Sequence, residues 1–448
     1  MKFAFLSFLM VPAIVLFAQP ANGNAVGDPV ASVQSGGWFE ITTWDCACIP
    51  GAANDVSVQG GHSVALNAGD TARAQSVAVA EAAVLGLVTG SRLELSASLA
   101  ALGEISGAGV VALVGEGDHV CGPAKLERLE CGAAAVSLTD TVIVTSQLDL
   151  MSADLNTDGM LVLEGISGIT NATGTITGNV VRRYAMEKES PYNFHIGAGL
   201  EGANAGQLLD MPGAVYLKEW QEPSAGYLTL VGSDVMNLAA GLNFKLSAGS
   251  HQFQLTGGSV LDTVVDLTKA SDSNWAGWNL ICNPMTGFAD INAVAVSGAG
   301  SLGATYEWVD SLNTYSVQVA GIGTFGNAGI VAPGRGFWTI ADTSSTLHFG
   351  PEVLVDKGEW QAQHERTTGQ VLGFQLDVED RVDQCLIEFG TGSASYDRME
   401  DAEFLPSGFR GRNHLDIYSM SDDQVSLAVN RTHGEEQVMP IWVKGLSG

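Results

Sequence analysis

The sequence predicts an all-β protein in which an N-terminal right-handed parallel β-solenoid is followed by two β-sandwich domains. The chain has 55 glycines among 448 residues, a composition that suits many short strands joined by tight turns. Short apolar runs recur between Asp55 and Tyr184 at intervals of roughly 15 to 25 residues. After Tyr184 the runs become richer in aromatic residues and alternate with glycine-bearing turns. Long helical patterns are missing, so strands dominate the prediction.

The chain begins with a segment typical of a secretory signal peptide, which we assign to residues 1–25. Lys2 precedes an apolar run from Phe3 to Phe17, and small residues follow that run. No second apolar stretch reaches the length of about 18 residues that a membrane helix requires. We therefore expect a protein that is secreted or displayed at the cell surface, outside the inner membrane, with no membrane span in its mature chain.

Residues 26–184 carry the pattern of the solenoid. In such a fold each turn buries its inward side chains only by stacking on the next turn. The segment WFEITTW at 38–44 precedes the repeats, and we expect it to cap the end of the solenoid. Residues 78–87 could form a helix on propensity alone, but the valine alternation around them favours strands.

The first sandwich is predicted at residues 185–352, before a charged linker at 353–370. The stretch GWNLICNP at 277–284 alternates apolar and polar residues and ends in an Asn-Pro turn. Residues 306–315 predict an aromatic hairpin. Residues 371–448 again alternate and predict a second, smaller sandwich, which we expect to be truncated at its C-terminal end.

The net charge of −29, from 49 acidic against 20 basic residues, argues against a nucleic-acid partner, because phosphate binding needs basic side chains. A solvated acidic surface is the simplest explanation of this charge. An acidic surface loaded with calcium is the alternative.

Six cysteines are consistent with an oxidising compartment. Cys121 and Cys131 flank a short polar segment and are candidates for a disulfide that closes a loop. Cys46 and Cys48 are candidates for pairing with each other or with a distant partner. A zinc site at Cys46 and Cys48 would need two further ligands at matching spacing, and none stands near them.

Few residues suggest a metal or cofactor site. Asp397, Glu400 and Asp401 crowd one loop and are candidate calcium ligands, although a solvated acidic loop is the simpler interpretation. The segment DLNTDG at 154–159 resembles half of a calcium loop but is better explained as a turn of the solenoid. Three GxGxxG matches lack the strand-turn-helix context of a nucleotide site. No cofactor is predicted.

No catalytic set is evident, and we assign no catalytic residue. The sequence has no GxSxG or HExxH motif, and His195 and His348 fit hydrogen-bonded histidines of strands. Trp278, Trp308 and Trp338 fit the core of a sandwich better than a platform for sugars. A pair of carboxylates on the solenoid face that cleaves a polysaccharide remains the enzymatic alternative.

The region 277–350 resembles a family of large secreted surface proteins of gliding-type bacteria, the Bacteroidota. That family has a G-W-N-L-x-G-N-P strand, a Y-x-W-D hairpin and an I-x-P-G-Q-G-F strand. The matching residues here are Gly277, Trp278, Asn279, Leu280, Asn283, Pro284, Tyr306, Trp308, Asp310, Tyr315, Pro333, Gly334, Gly336 and Phe337. Cys282 and Arg335 depart from the pattern.

The resemblance extends to the N-terminal half through Trp44, Pro50, Asp55, Val56, Val58, Gly61 and Val64. It implies type IX secretion, with the secretion machinery as a partner, and display on the outer membrane or release from it. Members of the family usually continue into a C-terminal sorting domain, which is not seen here. The resemblance brings no catalytic residues, because the shared motifs look structural.

Taken together, these features predict an exported structural or adhesive protein that binds an extracellular glycan or surface-matrix material without catalysis. The alternative is a polysaccharide lyase or hydrolase. A stalk stiffened by calcium is a third hypothesis.

Overall fold

The computed structural model describes residues 27–170, 173–188, 192–270, 275–298, 302–309, 314–362, 370–378, 381–389, 395–397, 400–404, 416–432 and 440–444. The predicted signal peptide lies outside these residues. Within them, no helix is long and apolar enough to span a membrane.

The first part of the structure is a parallel β-solenoid of about six turns over residues 55–183. Its strands, with two short ones that precede the first full turn, are β1 (Val30–Ala31), β2 (Gly36–Gly37), β3 (Asp55–Val58), β4 (Ser63–Leu66), β5 (Thr71–Val79), β6 (Val84–Leu87), β7 (Arg92–Ala101), β8 (Glu104–Ser106), β9 (Val110–Leu113), β10 (Asp118–Gly122), β11 (Ala124–Cys131), β12 (Ala135–Leu138), β13 (Val142–Asp149), β14 (Asp154–Asn156), β15 (Leu161–Glu164), β16 (Gly168–Thr170), β17 (Thr175–Thr177) and β18 (Asn179–Lys188). The predicted parallel β-solenoid is confirmed.

Each turn of the solenoid contributes strands to three columns. Strands β4, β6 and β8 stack in one column. The long strands β5 and β7 each bend at a register shift, so one half of each strand belongs to the second column and the other half to the third. Leu93 and Leu95 alternate with more exposed residues and are fully buried, as expected for side chains that face the interior between stacked turns. Residues 78–87 form strands with a turn between them, so the helical alternative is wrong.

The N-terminal end of the solenoid is filled by Trp38 and Trp44, both of which are buried in its core. Their ring centroids lie 5.2 Å apart in an edge-to-face arrangement, and the Trp44 indole Nε1 donates a hydrogen bond to the Trp38 carbonyl at 2.8 Å. Large aromatic side chains cover apolar surface efficiently, and here the Nε1 of Trp38 is buried without a hydrogen-bond partner. The segment predicted as a cap thus closes one end of the core.

The chain then continues into several antiparallel sheets, as predicted. Their elements are β19 (Tyr192–Ile196), α1 (Gly206–Leu209), β20 (Ala214–Gln221), β21 (Gly226–Thr229), β22 (Leu242–Leu246), β23 (Gly249–Gly258), β24 (Thr263–Leu267), β25 (Trp278–Cys282), β26 (Phe288–Asp290), β27 (Ala295–Gly298), β28 (Thr305–Val309), β29 (Thr314–Val319), β30 (Ile322–Gly323), β31 (Ile330–Val331), β32 (Gly336–Ile340), β33 (Ser345–Phe349) and β34 (Leu354–Val355).

Strand β18 joins the solenoid to these sheets. On one edge it pairs in parallel with β15, the preceding turn of the solenoid. On the other edge it pairs antiparallel with β23 over its whole length, from Asn179 opposite Gly258 to Lys188 opposite Gly249. In this column the solenoid sheet therefore continues into the following part of the chain.

A central sheet in the order β25-β32-β28-β29-β30 has apolar residues on both faces. One face, with Phe337, packs against Leu347 and Phe349 of β33. The other face contains Trp278 and Trp338, which are buried as predicted, whereas Trp308 is partly buried. This second face contacts the last sheet of the chain through residues such as Val429.

The last part of the chain comprises α2 (Lys357–Ala362), β35 (Gln370–Val378), β36 (Arg381–Phe389), β37 (Ala402–Glu403), β38 (Asp416–Met420), β39 (Ser426–Thr432) and β40 (Ile441–Lys444). The sheet order is β35-β36-β39-β38-β40, and β36 pairs with β39 in parallel. The predicted linker at 353–370 contains β34 and α2, and its residues 363–369 lie outside the described part of the chain.

Candidate functional site

Two adjoining cavities lie where the last turn of the solenoid meets the antiparallel sheets. The outer groove has a volume of about 550 Å³ and the inner pocket about 310 Å³. Both are lined by Tyr184 and Phe253, which face each other across the β18–β23 pair. Their rings stack with centroids 4.8 Å apart. This stacked pair forms the wall shared by the two cavities.

The outer groove is polar along its rim. Glu164 and Arg183 line it from the solenoid side, while Gln252 and Gln254 line it from β23. The alternation of β23 turns these two glutamines outward, so both are exposed, while Phe253 between them is buried. The groove therefore presents amide, guanidinium and carboxylate groups on its outward face.

The inner pocket is mostly apolar. Its walls include Ile166, Met186, Phe194, Pro333 and Trp360. The Pro333-Gly334 segment, which follows the short strand β31, also lines this pocket.

Arg182 is a buried cation in the wall of the inner pocket, with 1% of its surface exposed. Its guanidinium donates hydrogen bonds to the carbonyl oxygens of Ser167 (2.7 Å) and Thr286 (2.8 Å), but its Nε has no hydrogen-bond partner. Among the described residues no carboxylate forms an ion pair with it. Burial lowers the pKa of Arg182, because a low-dielectric environment disfavours its charged form.

The hydroxyl of Tyr184 is buried and has no hydrogen-bond partner. Burial raises the pKa of this hydroxyl, and the nearby Arg182 acts in the opposite direction. Gly334, with φ of +66°, passes so close that a Cβ atom at that position would lie 3.0 Å from the hydroxyl oxygen. Only glycine combines this left-handed conformation with so close an approach at low cost.

His195 on β19 is the third buried polar group that lines the pocket. It is 7% exposed and its Nδ1 has no hydrogen-bond partner, so the prediction of a hydrogen-bonded histidine is wrong at this nitrogen. Burial, with a smaller contribution from Arg335, lowers the pKa of His195 to about 3. The imidazole is therefore neutral at neutral pH. By contrast, His348 bonds Asp262 at 2.9 Å, as predicted.

Arg335 closes one side of the inner pocket. Its Nε lies 2.9 Å from the carboxylate of Glu307, and its guanidinium also donates to the Trp308 carbonyl. Glu307 thus balances the charge of Arg335 within the same wall.

The candidate calcium ligands Asp397, Glu400 and Asp401 lie in one short turn. Both carboxylate oxygens of Asp401 accept backbone hydrogen bonds, from Asp397 N (2.8 Å) and from Arg431 N (2.7 Å). Glu400 donates its backbone N–H to the Asp397 carbonyl, so this segment is a turn fastened to β39. Burial raises the pKa of Asp401 to about 6. Among the described residues no group of three or more acidic, histidine or cysteine side chains is placed to hold a metal ion.

Of the disulfide candidates, Cys46 and Cys48 form a disulfide with each other. Cys121 and Cys131 are instead free thiols. Each lies near the end of a different strand, β10 or β11, and each is fully buried in the solenoid core. They pack there as small apolar side chains, and burial raises the pKa of both thiols.

One face of the solenoid carries a network of ion pairs between arginine and glutamate side chains. Arg73 and Arg92 bond Glu94 at 2.8 and 3.0 Å, and Arg92 also bonds Glu130 at 2.6 Å. The Arg73 hydrogen bond is the largest cause of the lowered pKa of Glu94. A general acid of a glycosidase needs a raised pKa, so Glu94 is unsuited to that role.

Sequence reasoning missed Arg182, Tyr184 and Phe253 as site residues. One signal was available for Arg182. In the run Val180-Val181-Arg182, alternation places the arginine on the same face as Val180, which is buried. Burial of a charge at an inward position of a strand is energetically unfavourable, so an arginine there indicates a candidate site residue.

No family model matches the chain, and no curated protein or solved structure matches it significantly. The chain is a mostly-β protein with a β-solenoid region.

Proposed function

We propose that this protein is an exported structural or adhesive protein of the cell surface that binds glycan in the outer groove without catalysis. The observation that carries the proposal is the groove itself, which the exposed amides of Gln252 and Gln254 line together with Arg183 and Glu164. Amides both donate to and accept from the hydroxyl groups of a sugar, while a guanidinium donates to them and a carboxylate accepts from them.

The scaffold supports this role because the groove is built on regular strands. Glu164 on β15 lies directly opposite Arg183 on β18 in the parallel pair that these two strands form. Binding groups held on sheet strands keep their spacing better than groups on loops. A ligand would therefore meet a largely pre-formed surface.

The location of the protein outside the cell is also part of the proposal. The signal-peptide pattern of residues 1–25 supports export, and the resemblance of region 277–350 to secreted surface proteins of Bacteroidota supports type IX secretion. Display on the surface would place the groove within reach of matrix glycans.

Glycan binding is tested with purified protein on a panel of neutral and acidic oligosaccharides, followed by calorimetry on the best ligand. We expect the double variant Gln252→Ala/Gln254→Ala to bind at least about tenfold more weakly, because two hydrogen-bonding amides are lost. Gln59→Ala, which removes an exposed glutamine from the other end of the solenoid, serves as the matched control and should bind normally. Absence of binding across the panel would refute the proposal.

The adhesive role is tested separately in cells. A strain that lacks the protein should attach less well to surfaces or assemble a thinner surface layer. Expression of the double glutamine variant in that strain should not correct the defect. Unchanged attachment together with an unchanged surface layer would count against this role.

A further inference from the structure

We propose that the inner pocket binds a small monocarboxylate with an apolar body, whose carboxylate contacts Arg182 and Tyr184. This site is distinct from the outer groove. Arg182 and His195 line only the inner pocket, whereas Gln252 and Gln254 line only the outer groove. The proposal therefore does not depend on glycan binding.

The first argument is the set of unsatisfied polar atoms. Buried polar groups in folded proteins almost always have a hydrogen-bond partner. Here the Nε of Arg182, the hydroxyl of Tyr184 and the Nδ1 of His195 are all buried without one, and all three residues line the same pocket. Convergence of three such groups on one cavity is expected where a ligand supplies the missing partners.

The second argument is charge. The pocket lining contains two guanidinium groups, Arg182 and Arg335, and one carboxylate, Glu307. Because Glu307 pairs with Arg335, the charge of Arg182 has no counter-ion among the described residues. An unpaired buried charge is strongly unfavourable, and a bound anion would compensate it. The donors at Arg182 and Tyr184 both suit carboxylate oxygens.

The third argument is size and wall chemistry. A volume of about 310 Å³ lies at the small end of the range for ligand pockets. Ile166, Met186, Phe194 and Trp360 present hydrocarbon and aromatic surface, which favours an alkyl or aryl group over a sugar ring. The ligand class is thus a compact aliphatic or aromatic acid.

The test compares phenylacetate with phenylacetamide, its neutral analogue of nearly equal shape, by calorimetry on the full chain. We expect phenylacetate to bind at least about tenfold more tightly, because only the anion compensates Arg182. The variant Arg182→Met should lose this preference. Arg73→Met, which removes an exposed arginine elsewhere, should retain it.

Arg182 also holds two backbone carbonyls, so its variant could fail to fold. Tyr184→Phe keeps the ring stack and removes only the hydroxyl, and it should bind phenylacetate several-fold more weakly. Equal affinity for acid and amide, no binding of either, or unchanged affinity in Tyr184→Phe or in folded Arg182→Met would each overturn the proposal.

Discussion

The close approach of Gly334 to the Tyr184 hydroxyl gives a prediction that two substitutions can test. In Gly334→Ala, a methyl group enters at a backbone φ of +66° and meets the hydroxyl oxygen at 3.0 Å and the Gly197 carbonyl at 3.3 Å. Two costs therefore arise, one from the backbone conformation and one from the contact. Removing the hydroxyl in Tyr184→Phe should relieve the part of the contact cost that comes from Tyr184, while the contact with the Gly197 carbonyl and the conformational cost remain.

The magnitudes follow from these two costs. A left-handed conformation costs a non-glycine residue about 1–2 kcal/mol, and forcing an extra methyl group into a packed site costs about 1–3 kcal/mol. We expect Gly334→Ala to lower the free energy of unfolding by about 2–5 kcal/mol. Tyr184→Phe alone should be neutral or stabilising, because the hydroxyl is buried without a partner. The double variant should be destabilised by about 1–3 kcal/mol less than the two single effects predict.

The assay is urea unfolding of the wild type, both single variants and the double variant, which together form a double-mutant cycle. Gly321→Ala is the matched control, because Gly321 has a φ of +82° but nothing within 4 Å of its Cβ position. It should show the conformational cost alone. If Gly334→Ala and Tyr184→Phe are additive within about 0.5 kcal/mol, the steric argument is refuted.

Three further substitutions test other parts of the structure. Leu148→Ala removes a fully buried side chain from the solenoid and should lower the free energy of unfolding in urea by about 2–5 kcal/mol. Leu102→Ala, at a site that is 73% exposed, should lower it by under about 0.5 kcal/mol. Equal effects of the two variants would contradict the assigned core. For His195 the folded pKa of about 3 lies below the unfolded value of 6.5, so acidification protonates the unfolded state first. The free energy of unfolding of the wild type should therefore fall by about 1.4 kcal/mol per pH unit below pH 6.5. The variant His195→Gln should flatten that slope, and an unchanged slope would disprove the assignment. For Asp401 the folded pKa of about 6 lies above the ordinary 3.8, so the contribution of Asp401 to stability is present at low pH and is lost as pH rises through 6. Asp401→Asn should remove this pH dependence from titrations of the free energy of unfolding. If the dependence persists in the variant, another group causes it.

The solenoid could be predicted from the sequence because its signal is local. Alternation around Leu93 and Leu95 and the recurrence of similar runs are enough to indicate stacked strands with one buried face. The tryptophan cap was equally accessible, since Trp38 and Trp44 stand directly before the first repeat. Each of these inferences needs only residues close together in the chain.

The candidate site could not be predicted because it depends on distant segments. Tyr184 meets Phe253 across two strands, and the same pocket is closed by the bend at Gly334. Likewise, the two oxygens of Asp401 are occupied partly by the backbone of Arg431, a partner that no local pattern identifies. The roles of these residues are set by tertiary pairing, which alternation and turn chemistry do not encode.

The shared strand β18 has a mechanical consequence. Because it pairs with β15 on one side and along its whole length with β23 on the other, a pull applied along the strand direction at either end of the protein loads its backbone hydrogen bonds in shear. Bonds loaded in this way must break together rather than one at a time. The ten residue pairs with β23 and the four with β15 would share a force applied along β18.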